Sequence, residues 1–147
     1  MSNAPAPKMI FVNLPVKDLA ASIAFYEAVG AVRNDDFADD SAQMLSFSDA
    51  IHVMLLTHER FKSFTPRKIP DAHESAQVLL ALSEASRADV DATTDKALAA
   101  GGTEPNPKQD HGFMYGRSFA DLDGHIWEVT WMDVEAAMTA GQETATA

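Results

Sequence analysis

The sequence predicts an α+β fold in which one structural module is used twice, and three observations support this. The segment Phe113–Met132 (FMYGRSFADLDGHIWEVTWM) has the pattern of two strands joined by a tight turn. Its turn, Asp121–Gly124, contains residue types that tolerate left-handed backbone, and Gly124 is the expected left-handed position. A helix is predicted near the start, and the order of strand, capped helix, glycine and further strands then recurs in the second half.

The first half of the chain is predicted to run β-α-β-β-β. Asp18 is a suitable N-cap for a helix at Leu19–Val29, and Gly30 is placed to end that helix. Apolar residues recur at helical spacing within this segment, which predicts one buried face. The predicted strands of this half are Met9–Val16, Arg33–Phe37, Met44–Phe47 and Ile51–Thr57.

The second half begins with an apolar strand predicted at Gln77–Ser83. Ser86 can cap the following helix, which is expected to run to Ala100 before two glycines. A polar loop then leads into the hairpin. If Trp127 and its neighbours at positions 129 and 131 pack against a core, then Glu128 points to the opposite face of the sheet.

A chain of 147 residues is long enough for one domain with a proper core, or for two small modules that share one. Pro66 and Pro70 mark the best candidate linker. The expected organisation is one structural domain overall, with its parts at residues 8–64 (first module), 65–75 (linker), 76–133 (second module) and 134–147 (C-terminal helix and tail).

Composition narrows the function classes. The net charge of −11 argues against nucleic acid and anionic membranes as partners. Cysteine is absent, which excludes disulfides, thiolate metal sites and cysteine nucleophiles. The chain has no apolar run near the roughly 20 residues that span a bilayer, and residues 1–7 do not resemble a signal peptide. We therefore expect a cytoplasmic protein.

Two segments carry a family resemblance. VNLPVKDLAASIAFYEAVG near the start and FADLDGHIWEV near the end resemble the glyoxalase I / bleomycin resistance protein / extradiol dioxygenase superfamily, also called vicinal oxygen chelate proteins. HVMLLTHERFKSFT and QDHGFMYGRSFADLDGHIWEVTWMD are similar to the branch labelled "predicted lactoylglutathione lyase". The resemblance implies two βαβββ modules that each contribute a curved mixed sheet to a cleft. It also implies that a homodimer is common.

The resemblance implies a metal site that this chain does not retain. In metal-dependent members, four strand residues hold a divalent ion, and the matching positions here are Phe11, Met54, Leu79 and Glu128. Only Glu128 can bind a hard or borderline divalent ion, and a zinc site needs at least three protein ligands. We therefore expect no metal cofactor. A replacement site that uses His52, His111 or His125 stays an alternative, although these histidines show no ligand spacing.

Glu128 is also the candidate catalytic base, because an apolar cleft would desolvate it. The alternatives are a structural carboxylate or one paired with Arg117 on the adjacent strand. His52 is either a cleft residue or an ordinary core imidazole, and His111 lies in a glycine-flanked segment that could form a flap. The full set of candidate ligand-binding residues is Phe11, Asn13, His52, Met54, Leu79, His111, Tyr115 and Arg117.

Three functions are compatible with these residues. The first is metal-independent binding of a small molecule in an apolar cleft. The second is an enzyme, either a lyase or isomerase similar to lactoylglutathione lyase or a dioxygenase, with Glu128 as base or ligand. The third is a stress-related or regulatory dimer with a vestigial cleft. The unsuitable ligand positions favour the first, and fold kinship alone does not decide between them.

Overall fold

The computed structural model of the protein describes residues 4–139. The chain divides between Pro70 and Asp71 into two compact units, each with one mixed four-stranded sheet and helices. The α+β class and the two βαβββ modules are thus confirmed. The segment 65–75, predicted as the linker, contains no helix or strand.

The first unit contains four strands and two helices. In chain order these are β1 (Ile10–Val16), α1 (Leu19–Val29), β2 (Val32–Asp39), β3 (Ala42–Ser46), β4 (Ile51–Thr57) and α2 (His58–Lys62). The strand order in the sheet is β1-β4-β3-β2. The first and last strands run parallel, and the other pairs are antiparallel, because each of those follows a short connection.

Helix α1 begins and ends where the sequence predicts. The Asp18 carboxylate accepts a hydrogen bond from the backbone N–H of Ala21 at 3.1 Å, which is an N-cap. Gly30 ends the helix with φ of +120°, a conformation that favours glycine. Between them Phe25 and Tyr26 are buried, and α1 packs on β3 and β4.

Strand β4 separates the two faces of the first sheet. Val53 and Leu55 are fully buried, and their neighbours in register, Leu45 and Leu14, are buried with them. The residues that alternate with these, including His52, point to the other face of the sheet. That second face carries most of the first half's predicted site residues.

The second unit repeats the connectivity of the first. Its elements are β5 (Leu80–Ser83), α3 (Arg87–Ala99), β6 (Gln109–Asp110), β7 (Met114–Ala120) and β8 (Ile126–Met132). The strand order is β5-β8-β7-β6, with β5 parallel to β8. Residues 134–139 are helical, as predicted, and the rest of the predicted C-terminal helix and tail lies outside the described residues.

The β7–β8 hairpin confirms the predicted turn. The Asp121 carboxylate accepts hydrogen bonds from the backbone N–H groups of Asp123 and His125, both at 2.9 Å. Gly124 has φ of +92°. Beyond the turn Trp127 and Val129 are buried on the face of the sheet against which α3 packs. Glu128 therefore points to the opposite face.

Several strands differ from the prediction. β1 begins one residue later, at Ile10, and β3 runs over Ala42–Ser46 instead of Met44–Phe47. β5 begins at Leu80, so residues 77–79, of which Val78 and Leu79 are apolar, precede the strand instead of forming part of it. β2 is longer than Arg33–Phe37, and its pairing with β3 shifts between Asn34 and Ala38. β6 lies in a segment predicted as a loop, because two polar residues have no alternation to detect. In residues 4–139 no helix is long and apolar enough to cross a membrane.

Candidate functional site

A small cavity lies on the β7–β8 face that is turned away from α3. Its volume is about 120 Å³, and its lining includes Gly116, Ser118, Glu128 and Thr130 together with loop residues 106, 107 and 109. The register explains why these side chains meet. Ser118 stands opposite Glu128 and Gly116 stands opposite Thr130 on adjacent antiparallel strands, so the paired side chains share a face and lie close together.

The two central polar groups of this cavity have no partner. Among residues 4–139, the Glu128 carboxylate makes no hydrogen bond or ion pair. Ser118 is 4% exposed, and its buried Oγ has no hydrogen-bond partner within the described part of the chain. Buried hydroxyls are nearly always satisfied, and leaving one unpaired costs about 1–3 kcal/mol. The cavity is therefore a polar site that the chain does not satisfy by itself.

Gly116 keeps one wall of the cavity open. A Cβ atom at this position would lie 3.3 Å from the Thr130 methyl carbon, which is a tight contact. The Thr130 hydroxyl donates to the backbone carbonyl of Leu82 at 3.4 Å, which holds its methyl group towards β7. A larger residue at position 116 would therefore occupy space that a ligand could use.

Arg117 and Tyr115 lie on the opposite face of β7, against α3. The Arg117 guanidinium donates two hydrogen bonds to Glu104, at 3.0 and 3.1 Å. It donates two more, to Asp91 and Asp95, each at 3.0 Å. The alternative in which Arg117 pairs with Glu128 is wrong, because alternation along β7 puts the two side chains on opposite faces.

Arg117, Tyr115 and the carboxylates that accept hydrogen bonds from them form a network that shifts several pKa values. Hydrogen bonds from Arg117 to Glu104 hold the guanidinium pKa above its ordinary value. The Tyr115 hydroxyl donates to Asp91 at 2.6 Å, which lowers the pKa of the Asp91 carboxyl and raises that of the Tyr115 phenol. An anionic ligand at Arg117 would have to displace three carboxylates. The predicted ligand-binding role of Tyr115 and Arg117 gains no support from this geometry.

A second cavity of about 720 Å³ lies beside the same network. Its lining consists of Asp91, Asp95, Glu104, Pro105, Asn106, Pro107, Lys108, Tyr115 and Arg117. The carboxylates that border it already accept hydrogen bonds from Arg117 and Tyr115. These carboxylates are thus engaged with Arg117 and Tyr115, in contrast to Glu128 of the smaller cavity.

The predicted site residues of the first unit share one sheet face. Phe11 is opposite His52, and Asn13 is opposite Met54, on parallel neighbouring strands. The Phe11 and His52 rings stack with centroids 4.9 Å apart. Phe11 is 48% exposed, whereas His52 is buried. The sheet therefore brings these four side chains together, and it presents an aromatic ring at the surface.

Both nitrogens of His52 are engaged within the first unit. Its Nε2 lies 3.1 Å from the backbone carbonyl of Asp49, which can only accept, so this nitrogen carries the proton. Its Nδ1 then accepts a hydrogen bond from the Ser46 hydroxyl at 2.7 Å. This arrangement agrees with the core-imidazole interpretation of His52 and leaves no lone pair for a metal ion.

Leu79 and His111 lie outside the regular strands. Leu79 immediately precedes β5 and is 56% exposed. His111 occupies the turn between β6 and β7, where its backbone N–H donates to the carbonyl of Met114 at 2.8 Å. Arg87 ties this turn to α3 through bonds to Asp110 and to the carbonyl of Gly112. The segment predicted as a flap is thus the anchored turn of a hairpin.

The residues do not fit the metal site that the resemblance implies. Phe11 and Leu79 have no donor atom, Met54 offers only a thioether, and Glu128 alone has ligand oxygens. In the part of the chain that the structure describes, no group of three or more His, Asp or Glu side chains could hold a metal ion. A divalent site of ordinary strength needs at least three such ligands.

Of the residues that line the small cavity, only Glu128 and Arg117 are singled out from the sequence, and Gly116 and Ser118 are among those missed. The FMYGRSFA segment gives a weak signal for both, since Ser118 shares strand parity with Gly116 and lies opposite Glu128 in a two-residue-periodic hairpin. The carboxylates around Arg117 could not be assigned from sequence, because α3 supplies two of them from more than 20 positions away.

Comparison with known proteins supports this fold. The family model of the Glyoxalase/Bleomycin resistance protein/Dioxygenase superfamily matches residues 8–129. Hypothetical protein SA1046 from S. aureus is 26% identical, with a TM-score of 0.72 and 87% of this chain and 95% of that one covered. No curated protein matches the chain.

Two further solved structures share the fold at lower identity. A glyoxalase/bleomycin resistance protein/dioxygenase family enzyme from Burkholderia phytofirmans PsJN is 19% identical, with a TM-score of 0.69 and coverage of 83% of this chain and 96% of that one. The fosfomycin resistance protein FosX from Listeria monocytogenes, complexed with Mn(II) and sulfate, is 17% identical, with a TM-score of 0.63 and coverage of 92% and 94%. Because the family model spans most of a chain whose two units have matching strand order, this protein belongs to the glyoxalase/bleomycin resistance protein/dioxygenase superfamily.

Proposed function

We propose that this chain is a metal-independent small-molecule binding protein whose site includes the Glu128 face of the second unit. One observation carries the proposal. The positions at which the resemblance implies metal ligands hold Phe11, Met54, Leu79 and Glu128, and Glu128 lines a cavity where, among residues 4–139, it makes no hydrogen bond or ion pair. One carboxylate without further ligand side chains suits ligand binding better than metal-assisted catalysis.

By itself, the exposed sheet face of the first unit carries side chains that suit a planar apolar ligand. Phe11 stacks on His52 and keeps about half of its surface exposed, and Met54 is opposite Asn13 on that face. Aromatic rings of this kind bind planar ligands by offset stacking. Methionine adapts to ligands of different shape, which suits a binding protein.

A thermal-shift screen with planar aromatic compounds tests the proposal. We expect a saturable rise in melting temperature that persists in EDTA, because ligand binding to the folded state stabilises it. Phe11→Ala should weaken the rise, whereas Phe64→Ala, which removes another exposed ring, should leave it unchanged. If every saturable rise disappears in EDTA, or if no compound gives one, the proposal fails.

The competing function is a metal-dependent lyase similar to lactoylglutathione lyase, or a dioxygenase, with Glu128 as base or ligand. Turnover of the hemithioacetal of methylglyoxal and glutathione measures the lyase activity directly. We expect no turnover by the purified protein, with or without added Zn²⁺, Ni²⁺ or Mn²⁺. Metal-dependent turnover that Glu128→Gln abolishes would establish the competing function.

We also propose that the protein acts as a cytoplasmic homodimer that pairs through β1. This strand lies at one edge of its sheet, and Ile10 and Phe11 are 56% and 48% exposed. An apolar edge strand is a ready site for pairing with a second chain. In sedimentation equilibrium, Ile10→Lys should shift the protein towards monomer. Val32→Lys, which is an exposed position on the opposite edge strand, should leave the dimer intact.

A further inference from the structure

We infer that the Glu128 cavity takes the hydrogen-bond-donating end of a ligand, an alcohol or a protonated amine, and rejects anionic groups. This rests on the proposed binding function and adds the chemical class of the ligand. It also assigns Ser118 as a specificity-determining residue. The unpartnered groups of the cavity, its charge and its size each support the inference.

Charge selects against anions. An ionised carboxylate accepts hydrogen bonds and donates none, so a ligand group that binds Glu128 must donate the hydrogen bond. Among the described residues that line this cavity, Arg117 is the only basic one. Its side chain points to the opposite face of β7, where the guanidinium is hydrogen-bonded to Glu104 and two aspartates of α3. No cation is thus left there to receive a carboxylate or phosphonate. The net charge of −11 adds to this repulsion.

Ser118 supplies the second contact. Its hydroxyl is buried, has no partner within residues 4–139 and stands directly opposite Glu128. Ser118 lines the cavity together with Glu128. The hydroxyl can accept a hydrogen bond from a ligand whose other donor binds Glu128. A single amine or a pair of neighbouring donors satisfies both residues at once.

Size limits what enters. The cavity has a volume of about 120 Å³ and is the smaller of the two described in the second unit. It suits the terminal group of a ligand. Gly116 contributes to this space, because a Cβ there would lie 3.3 Å from the Thr130 methyl carbon.

Three two-carbon probes of similar size and different charge test the ligand class. They are ethanolamine, ethylene glycol and glycolate, titrated into the ¹⁵N-labelled full-length protein at constant ionic strength. We expect saturable amide shifts centred on Ser118, Glu128 and Thr130, with ethanolamine binding about tenfold more tightly than glycolate. Ethylene glycol should lie between them.

Two variants test the roles of Glu128 and Ser118 in ligand binding. Glu128→Gln should remove the preference for ethanolamine over glycolate. Ser118→Ala should weaken ethanolamine binding about fivefold. It should also raise the melting temperature of the free protein by about 2 °C, because it removes a buried hydroxyl without a partner. Ser83→Ala, on the same sheet face but exposed, should change neither value.

Three outcomes would overturn the inference. The first is glycolate binding as tightly as ethanolamine, and the second is the absence of saturable shifts at these amides with all three probes. The third is a Ser118→Ala variant that is less stable than wild type or that binds ethanolamine unchanged. Each of these leaves the proposed binding function standing if the aromatic screen in EDTA succeeds, so the two failures are distinguishable.

Discussion

Two adjacent side chains of β7 differ in how many of their possible hydrogen bonds are formed within the fold. Arg117 makes four hydrogen bonds to three carboxylates on the α3 side. Ser118, the next residue, is buried on the other side, and its hydroxyl has no hydrogen-bond partner in the described part of the chain. Because successive side chains of a strand point to opposite faces, one strand can carry both a stabilising network and an open binding group. Mutations at the two residues should therefore have opposite effects on stability.

Replacement of Arg117 tests the stabilising network. Arg117→Lys cannot reproduce the two parallel bonds to Glu104, so we expect the free energy of unfolding to fall by about 1–3 kcal/mol in chemical denaturation. Arg33→Lys is the control, since Arg33 pairs with Asp35 at an exposed site and should cost less than about 0.5 kcal/mol. Equal losses in the two variants would refute the role of the network.

The Tyr115–Asp91 bond predicts a specific pH dependence. The hydrogen bond from Tyr115, and after it the one from Arg117, lowers the pKa of Asp91. The ionised Asp91 carboxyl therefore stabilises the fold above its ordinary pKa, and this stabilisation is lost as pH falls through the lowered pKa. The hydrogen bond between Tyr115 and Asp91 also raises the pKa of Tyr115. The protonated phenol therefore stabilises the fold below its ordinary pKa, and this stabilisation is lost as pH rises through the raised pKa.

The measurement is the free energy of unfolding of wild type and Tyr115→Phe from acid to alkaline pH. We expect wild type to be more stable by about 1 kcal/mol between about pH 5 and about pH 9. The difference should shrink at both ends of the range. A difference that stays constant from pH 3 to pH 11 would show that the bond does not act through these groups.

Single residues also show where sequence reasoning stops. Glu128 could be assigned to a sheet face from the alternating pattern of its strand, and that assignment agrees with the structure. The carboxylates that neutralise Arg117 come from α3 and from Glu104, so only the tertiary fold identifies them. Ser118 is a further example. Its hydroxyl has no hydrogen-bond partner in the described part of the chain, and this can be seen only in the folded structure.

Among the elements, those with local signals were predicted well. Helix α1 is fixed by Asp18 and Gly30, and the β7–β8 turn is fixed by Asp121 and Gly124. Elements that depend on pairing were predicted less well. The sequence predicts residues 77–79 as part of β5, because hydrophobicity does not show whether a neighbouring strand is within reach.

Gly124 provides a test at the scale of the hairpin. A Cβ at this position would lie 2.6 Å from the backbone nitrogen of His73 and 2.7 Å from the carbonyl carbon of Ala72. Backbone atoms cannot move aside as a flexible side chain does. Gly124→Ala should therefore cost about 2–5 kcal/mol, the sum of left-handed strain and overpacking.

Gly30→Ala is the matched control for this prediction. Gly30 also has positive φ, but a Cβ there would meet nothing within 4 Å. Only the strain remains, which is about 1–2 kcal/mol. Both values can be measured by urea denaturation. If the two substitutions cost the same, the close approach of the turn to residues 72 and 73 does not contribute to stability.

Over the whole molecule, two units use the same strand order with unrelated side chains. In each, the first and last strands pair in parallel, β1 with β4 and β5 with β8. Repeated topology could be predicted from the order of capped helices and strands, because topology depends on pattern. Function depends on particular side chains, and at the positions where the family implies metal ligands this chain retains only Glu128.

The metal content of the untagged protein tests the central claim most directly. The protein should be purified without chelators from cells grown with zinc, manganese, nickel and iron, and analysed by mass spectrometry for metal per chain. We predict far less than one ion per chain, and the same value for wild type and Glu128→Gln. About one divalent ion per chain that is lost in Glu128→Gln would contradict metal-independent binding.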